Sequence, residues 1–440
     1  MAGSSERRSH AILALQLGVT ACMVPLLGWL FWALVLHLGP NDFHDYWLAG
    51  RLLLEGKSPY DTTEMAALAA REHLSFSLGG GYSYPLPFAV AMVPFAALPF
   101  DAAVVAFDSI SLATFGATVA AWLVALHPAA GRPRLLAAAL AAGTFPPVYG
   151  SLAMGQANLI LLPLVAAGSW LALRPSGGAA RASAARWGGV LLGLAAIVKL
   201  VPGAVIAPLV LGRRWSAAVS LVAAALGAMV VAAVLAPWAL VGSAGLASNL
   251  EPDAFYTNQS INGFVSRLVT DTPKSVALLP AAFDPAPVMV VLTALLGLAT
   301  LVVLWRGRRT LDAPRGLAAG IAFTLTAATI GAPKTSFWNE SFLLVSVALI
   351  VAVDAPDLRL GRLPREDRAA MAIWFGSALA WAAIWAIEPS PAGPLSTVVN
   401  LAWSTSLFGM LALWLTLARR LLRRPGRQPA ASTVAFSTIS

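Results

Sequence analysis

The sequence is poor in charge. Only 11% of its 440 residues are Asp, Glu, Lys or Arg, whereas a soluble domain carries about twice that share. It has one cysteine, Cys22, which excludes an intrachain disulfide and any cysteine-based metal cluster. Cys22 lies in the first apolar run and reads as a buried, inert thiol. Histidine is scarce, at five residues, and no His/Asp cluster has metal-site spacing, so no metal and no cofactor is expected. The residue alternation of a membrane barrel is missing. No internal repeat is evident, which disfavours the inverted-repeat plan of many transporters. The first apolar run has no small-residue cleavage site and is too long for a signal peptide, so it reads as a retained first span.

What the sequence has is hydrophobic length. Hydrophobic residues make up 58% of the chain and the mean hydropathy is +0.76. Runs of roughly 20 apolar residues recur, each able to cross about 30 Å of hydrocarbon. The expected fold class is an all-α polytopic membrane protein. Its candidate spans are 11–38, 86–99, 102–126, 134–150, 156–173, 187–211, 216–240, 287–305, 316–331, 337–354, 370–388 and 397–418, about twelve in all. The last dozen or so residues, 426–440, read as a disordered cytoplasmic tail behind a single membrane domain over 1–425.

The net charge of +9 would suggest nucleic acid in a soluble protein. Here the basic residues gather in short loops between apolar runs, so no nucleic-acid partner is expected and membrane topology explains the charge. Arg7 and Arg8 favour a cytoplasmic N-terminus. The stretches "GRRW", "WRGRRTLDAPRG", "DLRLGRLPREDR" and "ARRLLRRPGR" agree. The two longest non-apolar segments, 39–85 and 241–286, then face outward together with "APKTSFWNES". The loops at 127–134 and 174–187 conflict with this count, being basic yet placed outside. An alternative moves both inside: 86–126 becomes one interrupted pass, and 187–211 a hairpin broken near Lys199-Leu200-Val201-Pro202. Both topologies stay open on the sequence. Arg far exceeds Lys and Ala is abundant, which fits a G+C-rich bacterial genome and a bacterial cytoplasmic membrane.

Several polar residues stand where an apolar chain has no need of them. In "NDFHDYWLAGRLLLEG", Asp42, Asp45 and Tyr46 fall at i, i+3 and i+4 and share a helix face. On one reading Asp42 only caps the helix and Asp45 only favours its dipole. On the other, Asp42 is a carboxylate held at the membrane surface as a general base. Lys199 lies in "LLGLAAIVKLVPGAVIAPLVL", where an unpaired lysine costs about 2.5–3.5 kcal/mol. It either marks a hairpin turn or an interface, or meets an anionic ligand such as a lipid phosphate. Gln156 and Asn158, in "MGQANLILLPL", either bond between helices or line a ligand cavity. "NLEPDAFYTNQSINGFVSRL" offers Asn258, Gln259, Ser260 and Arg267 among aromatic rings, the chemistry of a sugar-binding surface with a phosphate clamp. Its Asn-Gln-Ser, like Asn339-Glu340-Ser341, also fits a glycosylation sequon, a chance match in a bacterial protein.

The order of these pieces resembles a known family. Along the chain run "D-F-x-x-Y" from Asp42, "G-x-S-P-Y-D" with Tyr60, "Y-x-Y-P" with Tyr84, "G-Q-x-N" with Gln156 and Asn158, "K-x-x-P" with Lys199, and "N-Q-S-x-x-G-x-x-x-R" from Asn258 to Arg267. Over roughly 12–350 the chain is similar to bacterial family 87 glycosyltransferases, which have the GT-C fold. These include polyprenol-phosphate-mannose-dependent mannosyltransferases of phosphatidylinositol mannoside synthesis. The resemblance implies a polyprenyl-phosphate-linked sugar donor, a lipid or glycan acceptor, and contact with membrane lipids. It makes Asp42 the catalytic base. The other motif residues, Asp45, Tyr46, Tyr60, Tyr84, Gln156, Asn158, Lys199, Asn258, Gln259, Ser260 and Arg267, become substrate-binding. The chain departs from the family before a late span. Members often carry a histidine there, and this chain has "GAPKTSFWNESF". The His position falls on Asn339 or Glu340, and Lys334 stands near to replace the lost positive charge. Glu340 and Lys334 join the expected site.

The sequence therefore points to an inverting hexosyltransferase, mannose-like in its sugar, working on the outer face. A transporter or flippase of polyprenyl-linked sugars would share the intramembrane Lys and broken helices, but has no use for a base at Asp42. An inactive scaffold that binds lipid-linked sugar is the third reading.

Overall fold

The computed structural model describes residues 2–35, 41–74, 82–174, 179–240, 250–279, 283–387, 390 and 395–423. The tail expected over 426–440 lies outside the described residues, as does most of the Gly-rich loop before Tyr82. Among the described residues every regular element is helical, and β-type pairing is confined to two isolated bridges, one of them joining Asn258 to Ser336. The chain is an all-α polytopic membrane protein.

Helix α1 (Ala2–Val35) is followed by the short helices α2 (Asn41–Leu54), α3 (Thr62–Arg71) and α4 (Leu86–Ala96) and the long α5 (Phe100–Leu126). Then come α6 (Arg132–Gly143), α7 (Pro146–Ala153), α8 (Asn158–Ala172), α9 (Ala179–Ala196), α10 (Ile206–Leu211) and α11 (Trp215–Leu235). Beyond these lie α12 (Ile261–Val269), α13 (Pro285–Arg306), α14 (Pro314–Gly331), α15 (Leu343–Asp354), α16 (Arg365–Ile387), α17 (Ser396–Ala402) and α18 (Thr405–Leu422). Among the described residues seven helical stretches are long and apolar enough to cross a bilayer, or eight if α6 and α7, bent by 49°, make one broken span. The sequence runs suggest about twelve. The difference lies in runs that proline or a polar residue interrupts. Leu86–Ala96, Asn158–Leu173 and Val201–Leu211 are apolar but short. Helix α14 is buried along nearly its whole length, from Leu317 to Ile330, and forms the centre of the second half.

Close backbone approaches fix the helix directions. A Cβ on Gly189 would lie 2.1 Å from the Ala217 carbonyl oxygen, and one on Gly193 2.3 Å from that of Leu221. Only glycine tolerates such contacts, and the Gly-x-x-x-Gly spacing puts both on one face of α9. The contacts advance together, so α9 and α11 run in the same direction. The chain between them must return. It does so through Lys199, a 3₁₀ turn at Val201–Val205, and α10. Pro202 lacks the N–H that a continuing α9 would need. The 187–211 run is thus the hairpin of the second topology, with Lys199 at its tip.

The 86–126 run resolves the same way. The Tyr46 and Phe88 rings are 4.8 Å apart, and Trp47 Nε1 donates to the Leu98 carbonyl at 3.2 Å, so α4 lies alongside α2. The Phe43 and Phe100 rings are 5.9 Å apart, which starts α5 beside the start of α2. Helix α4 therefore shares the end of the bundle where α5 begins, and 86–126 is one interrupted pass.

The two ends of the bundle differ in charge. At one end, His127 Nδ1 lies 3.0 Å from the Pro356 carbonyl, and Arg134 donates to that of Asp357 at 3.2 Å. Arg315 pairs with Asp354 at 3.2 Å, and Arg420 bridges Asp354 and Asp367. Arg214 donates to the Asp312 carbonyl at 3.3 Å. The start of α9 reaches the same level, because Gly189 meets Ala217 just after Arg214. The basic loops at 127–134, 212–215, 306–315 and 355–368, with the described residues 179–187, thus collect at one end. Asp42, Gln156, Lys199 and the 333–340 segment collect at the other.

Candidate active site

The site is built where α2 begins. The first backbone N–H groups of a helix have no intrahelical partner. In α2 the N–H groups of Asp42 and Phe43 both donate to the Met154 carbonyl at 3.2 Å. The Asp42 carboxylate accepts instead from Gln156 Nε2. Met154 ends α7, and Gly155 follows at φ +62°. Glycine enters this left-handed region at little cost, and the turn aims Gln156 and Asn158 into the bundle. The "G-Q-x-N" stretch is therefore a helix stop that also delivers two amides.

Gln156 is held from its other side. Its Oε1 accepts from Lys199 Nζ at 2.7 Å and from the Tyr46 hydroxyl at 3.1 Å. With the oxygen so engaged, its NH₂ must face Asp42. The Tyr46 hydroxyl also lies 2.8 Å from that of Tyr84. Lys199 Nζ makes a second bond, to Asn339 Oδ1 at 2.6 Å, and stands 5.9 Å from the Tyr84 ring centroid. Asn158 Nδ2 donates to Asn339 Oδ1 at 3.2 Å and to the Trp338 carbonyl at 3.0 Å. Tyr60 supports the edge of the cluster by donating to the Tyr84 carbonyl at 2.9 Å. Lys199 thus spends its charge on amide oxygens in place of a counter-ion, and keeps donor capacity for a further acceptor.

Burial sorts these residues into two layers. Gln156, Asn158 and Tyr46 are buried. Asp42, Asp45, Tyr84, Lys199 and Asn339 are partly exposed and form the face that a substrate can reach. Burial raises the Asp42 carboxyl, while the Gln156 hydrogen bond and the Lys199 charge pull it back down. Asp45 is pushed up to about 7, first by burial and then by the charge of Asp42.

A second group forms apart from the first. Asn258, Gln259, Ser260 and Arg267 are all buried, and protein groups take most of their hydrogen bonds, with Gln259 Oε1 and Arg267 Nε left without a partner among the described residues. Arg267 donates to the Phe255 and Asn258 carbonyls at 2.9 and 2.8 Å and to Ser404 Oγ at 2.7 Å. Asn258 Oδ1 accepts from Ser260 and from the Thr335 N–H. Gln259 Nε2 donates to the Trp403 carbonyl at 2.8 Å, and Ser260 caps α12. These residues staple the 253–260 loop to the 333–337 segment. Among the described residues they share no hydrogen bond with Asp42, Gln156 or Lys199. Glu340 turns the same way, buried and bonded to Trp374 and Ser406. Lys334 is exposed at the start of that segment.

The sequence reading placed the family's histidine slot on Asn339 or Glu340 and took Glu340 into the site. The structure brings Asn339 into contact with Lys199 and sends Glu340 away. It also adds Met154, through its carbonyl, to the residues that position Asp42; a backbone role of this kind has no side-chain signal.

Among known proteins, the sequence model of glycosyltransferase family 87 matches residues 82–333, more than half of the chain. The match covers Tyr84, Gln156, Asn158, Lys199 and Arg267, while Asn339 lies just past its end and the whole of α2, Asp42 included, lies before its start. No curated protein matches the chain.

Proposed function

We propose that this chain, which belongs to glycosyltransferase family 87, is an inverting enzyme that uses a polyprenyl-phosphate sugar as donor and Asp42 as general base. The observation that carries the reading is the chain of contacts from Lys199 through Gln156 to Asp42. It sets a proton acceptor and a cation at the two ends of one amide, within a single partly open cluster.

Transfer from a lipid phosphate needs both. The acceptor hydroxyl attacks the anomeric carbon while its proton passes to the Asp42 carboxylate. The anomeric C–O bond breaks, and its electron pair leaves with the lipid phosphate. Lys199 meets the charge that grows on the phosphate oxygen, where a preorganised donor stabilises the transition state most. Inversion turns a β-linked donor into an α product. A mannose-like hexose and a lipid or glycan acceptor complete the reading. The second acid, Asp45, and the Tyr84 edge then contact the sugar or acceptor.

The charge asymmetry of the bundle supports an orientation. Loops rich in Lys and Arg favour the cytoplasm, which supports a reading with Asp42 and Lys199 on the outer face of a bacterial cytoplasmic membrane. A deletion strain complemented with wild-type or Asp42→Asn protein tests the reading through mass spectrometry of envelope glycolipids and glycans. The expected result is a hexose-bearing species restored by the wild type only. Full restoration by Asp42→Asn would remove Asp42 as the base. No lost species at all would favour a scaffold that binds lipid-linked sugar without transferring it.

A further inference from the structure

Asp108 lies on α5, eight residues into a membrane span and about 12 Å below its start at a rise of about 1.5 Å per residue. It is 6% exposed, and neither carboxylate oxygen has a hydrogen-bond partner among the described residues. An acid at membrane depth normally pairs with another protein group or lines a polar path. Here it lines a cavity of about 110 Å³ between α1, α5 and α7, with Leu26, Val105, Ser109, Leu112 and Leu152 as the other walls. Val105 is 59% exposed and Ser109 is also exposed, so the cavity opens on the lipid-facing side of α5. It backs directly onto the site. Leu152 is two residues before Met154, whose carbonyl anchors α2, and the Phe107 ring is 4.9 Å from that of Phe43.

We propose that this cavity binds an alcohol group of a membrane-borne amphiphile, whose hydroxyl bonds to Asp108. The walls are apolar apart from Asp108 and Ser109, which suits a ligand that arrives from the bilayer and presents a small polar end. The volume admits a hydroxymethyl or diol group and no whole sugar ring with its substituents. A hydroxyl can donate to a carboxylate or accept from a carboxylic acid, so it satisfies Asp108 in either state. Two sources share this chemistry: a hydroxylated phospholipid headgroup, or the hydroxyl of a glycolipid acceptor. The site stands whether or not Asp42 is the base.

Dicyclohexylcarbodiimide, which partitions into bilayers and converts carboxyls there to a stable N-acylurea, reads the site without any transfer assay. The full chain is placed in nanodiscs of phosphatidylmethanol, which has no headgroup hydroxyl, or of phosphatidylglycerol, which has the same charge and two. A third sample is phosphatidylmethanol with added octyl mannoside. Peptide mass spectrometry follows the adduct on Asp108, with Asp108→Asn as the control that must lose it. The adduct is expected to form in phosphatidylmethanol and to slow by about two- to tenfold, the range of one net hydrogen bond, when a hydroxyl is supplied. Protection by phosphatidylglycerol identifies a headgroup as the source, and protection by the glycoside alone identifies a sugar-bearing amphiphile. Equal labelling in all three samples would leave water as the occupant and overturn the proposal. So would the absence of any Asp108 adduct, since the carboxyl would then be closed to the bilayer. If Asp108→Asn does not fold, Asp108→Leu serves as the control.

Discussion

Gln156 stands between Lys199 and Asp42, accepting from the ammonium at 2.7 Å through Oε1 and donating to the carboxylate through Nε2. One amide thereby fixes two charged groups and keeps them from collapsing into a direct ion pair. An ion pair would hold both charges on each other. The amide leaves the Asp42 carboxylate one oxygen for a proton and leaves Lys199 a donor for an incoming anion.

Asp42→Asn is expected to lower the transfer rate by about 10²–10⁴-fold, the usual cost of losing a general base. Donor binding should survive, because Asn keeps the shape and the Met154 carbonyl still anchors the start of α2. Asp45→Asn should cost much less, since among the described residues no amide holds that carboxyl. Initial rates with a polyprenyl-phosphate sugar decide the matter. Wild-type rates in Asp42→Asn together with a dead Asp45→Asn would exchange the two roles.

Gln156→Leu should move the acid side of the pH–rate profile. A base works only when ionised, so the rate falls as pH drops through its folded pKa. The Gln156 bond favours the ionised Asp42 and lowers that pKa. Its removal raises the pKa, so the limb shifts to higher pH. A hydrogen bond to a charged group is worth about 1.5–3 kcal/mol, or about one to two pH units. A limb that stays in place while the rate drops would mean Gln156 only shapes the cavity.

Much of this arrangement was legible in the sequence because polar residues at membrane depth are expensive and therefore conspicuous. Asp42, Tyr46, Gln156, Asn158 and Lys199 stood out one by one, and they meet. The number of crossings was less legible. Hydropathy sees that 86–99 and 187–211 are apolar, but not that α4 lies along α2 or that the chain reverses at Lys199. The first follows from the Tyr46–Phe88 and Trp47–Leu98 contacts, the second from the Gly189 and Gly193 contacts and from Pro202, and all act through three-dimensional packing. The polar-aromatic stretch at 255–267 is harder to read, for the opposite reason. Amides and Arg267 have the same composition whether they read a sugar or staple a loop, and only their partners distinguish the two.

Arg267 and Lys199 should accordingly give different mutants. Arg267→Met strands the Phe255 and Asn258 carbonyls and Ser404, at about 1–3 kcal/mol for each buried group left unpaired. Its thermal midpoint should fall clearly, with donor affinity in the folded fraction near wild type. Lys199→Met should keep its midpoint and lose about ten- to a hundredfold in donor affinity, as expected for one charge-assisted phosphate contact. A double mutant whose affinity loss is smaller than the sum of the two single losses would bring Arg267 into the phosphate site after all.

The hairpin at Lys199 makes a prediction that single crossings through 86–99 and 187–211 do not. Single crossings through 86–99 and 187–211 would leave the basic loops at 127–134 and 174–187 on the outer side. The parallel run of α9 and α11 and the contact of His127 with Pro356 instead gather them with 355–368. Single cysteines at Thr62, Ala129, Arg186 and Leu360, all exposed, in a Cys22→Ser background separate the two. Serine at position 22 can keep the bond that Cys22 donates to the Leu112 carbonyl. A membrane-impermeant maleimide should label Thr62→Cys in intact cells, because that residue lies beside the site. The other three should label only after permeabilisation. Labelling of Ala129→Cys and Arg186→Cys from outside, with Leu360→Cys protected, would restore the single crossings and require α9 and α11 to be antiparallel. Labelling of Leu360→Cys but not Thr62→Cys from outside would keep the hairpin and invert the whole bundle. The Asp42 cluster would then face the cytoplasm, and an outward-facing donor lipid would be lost from the proposal.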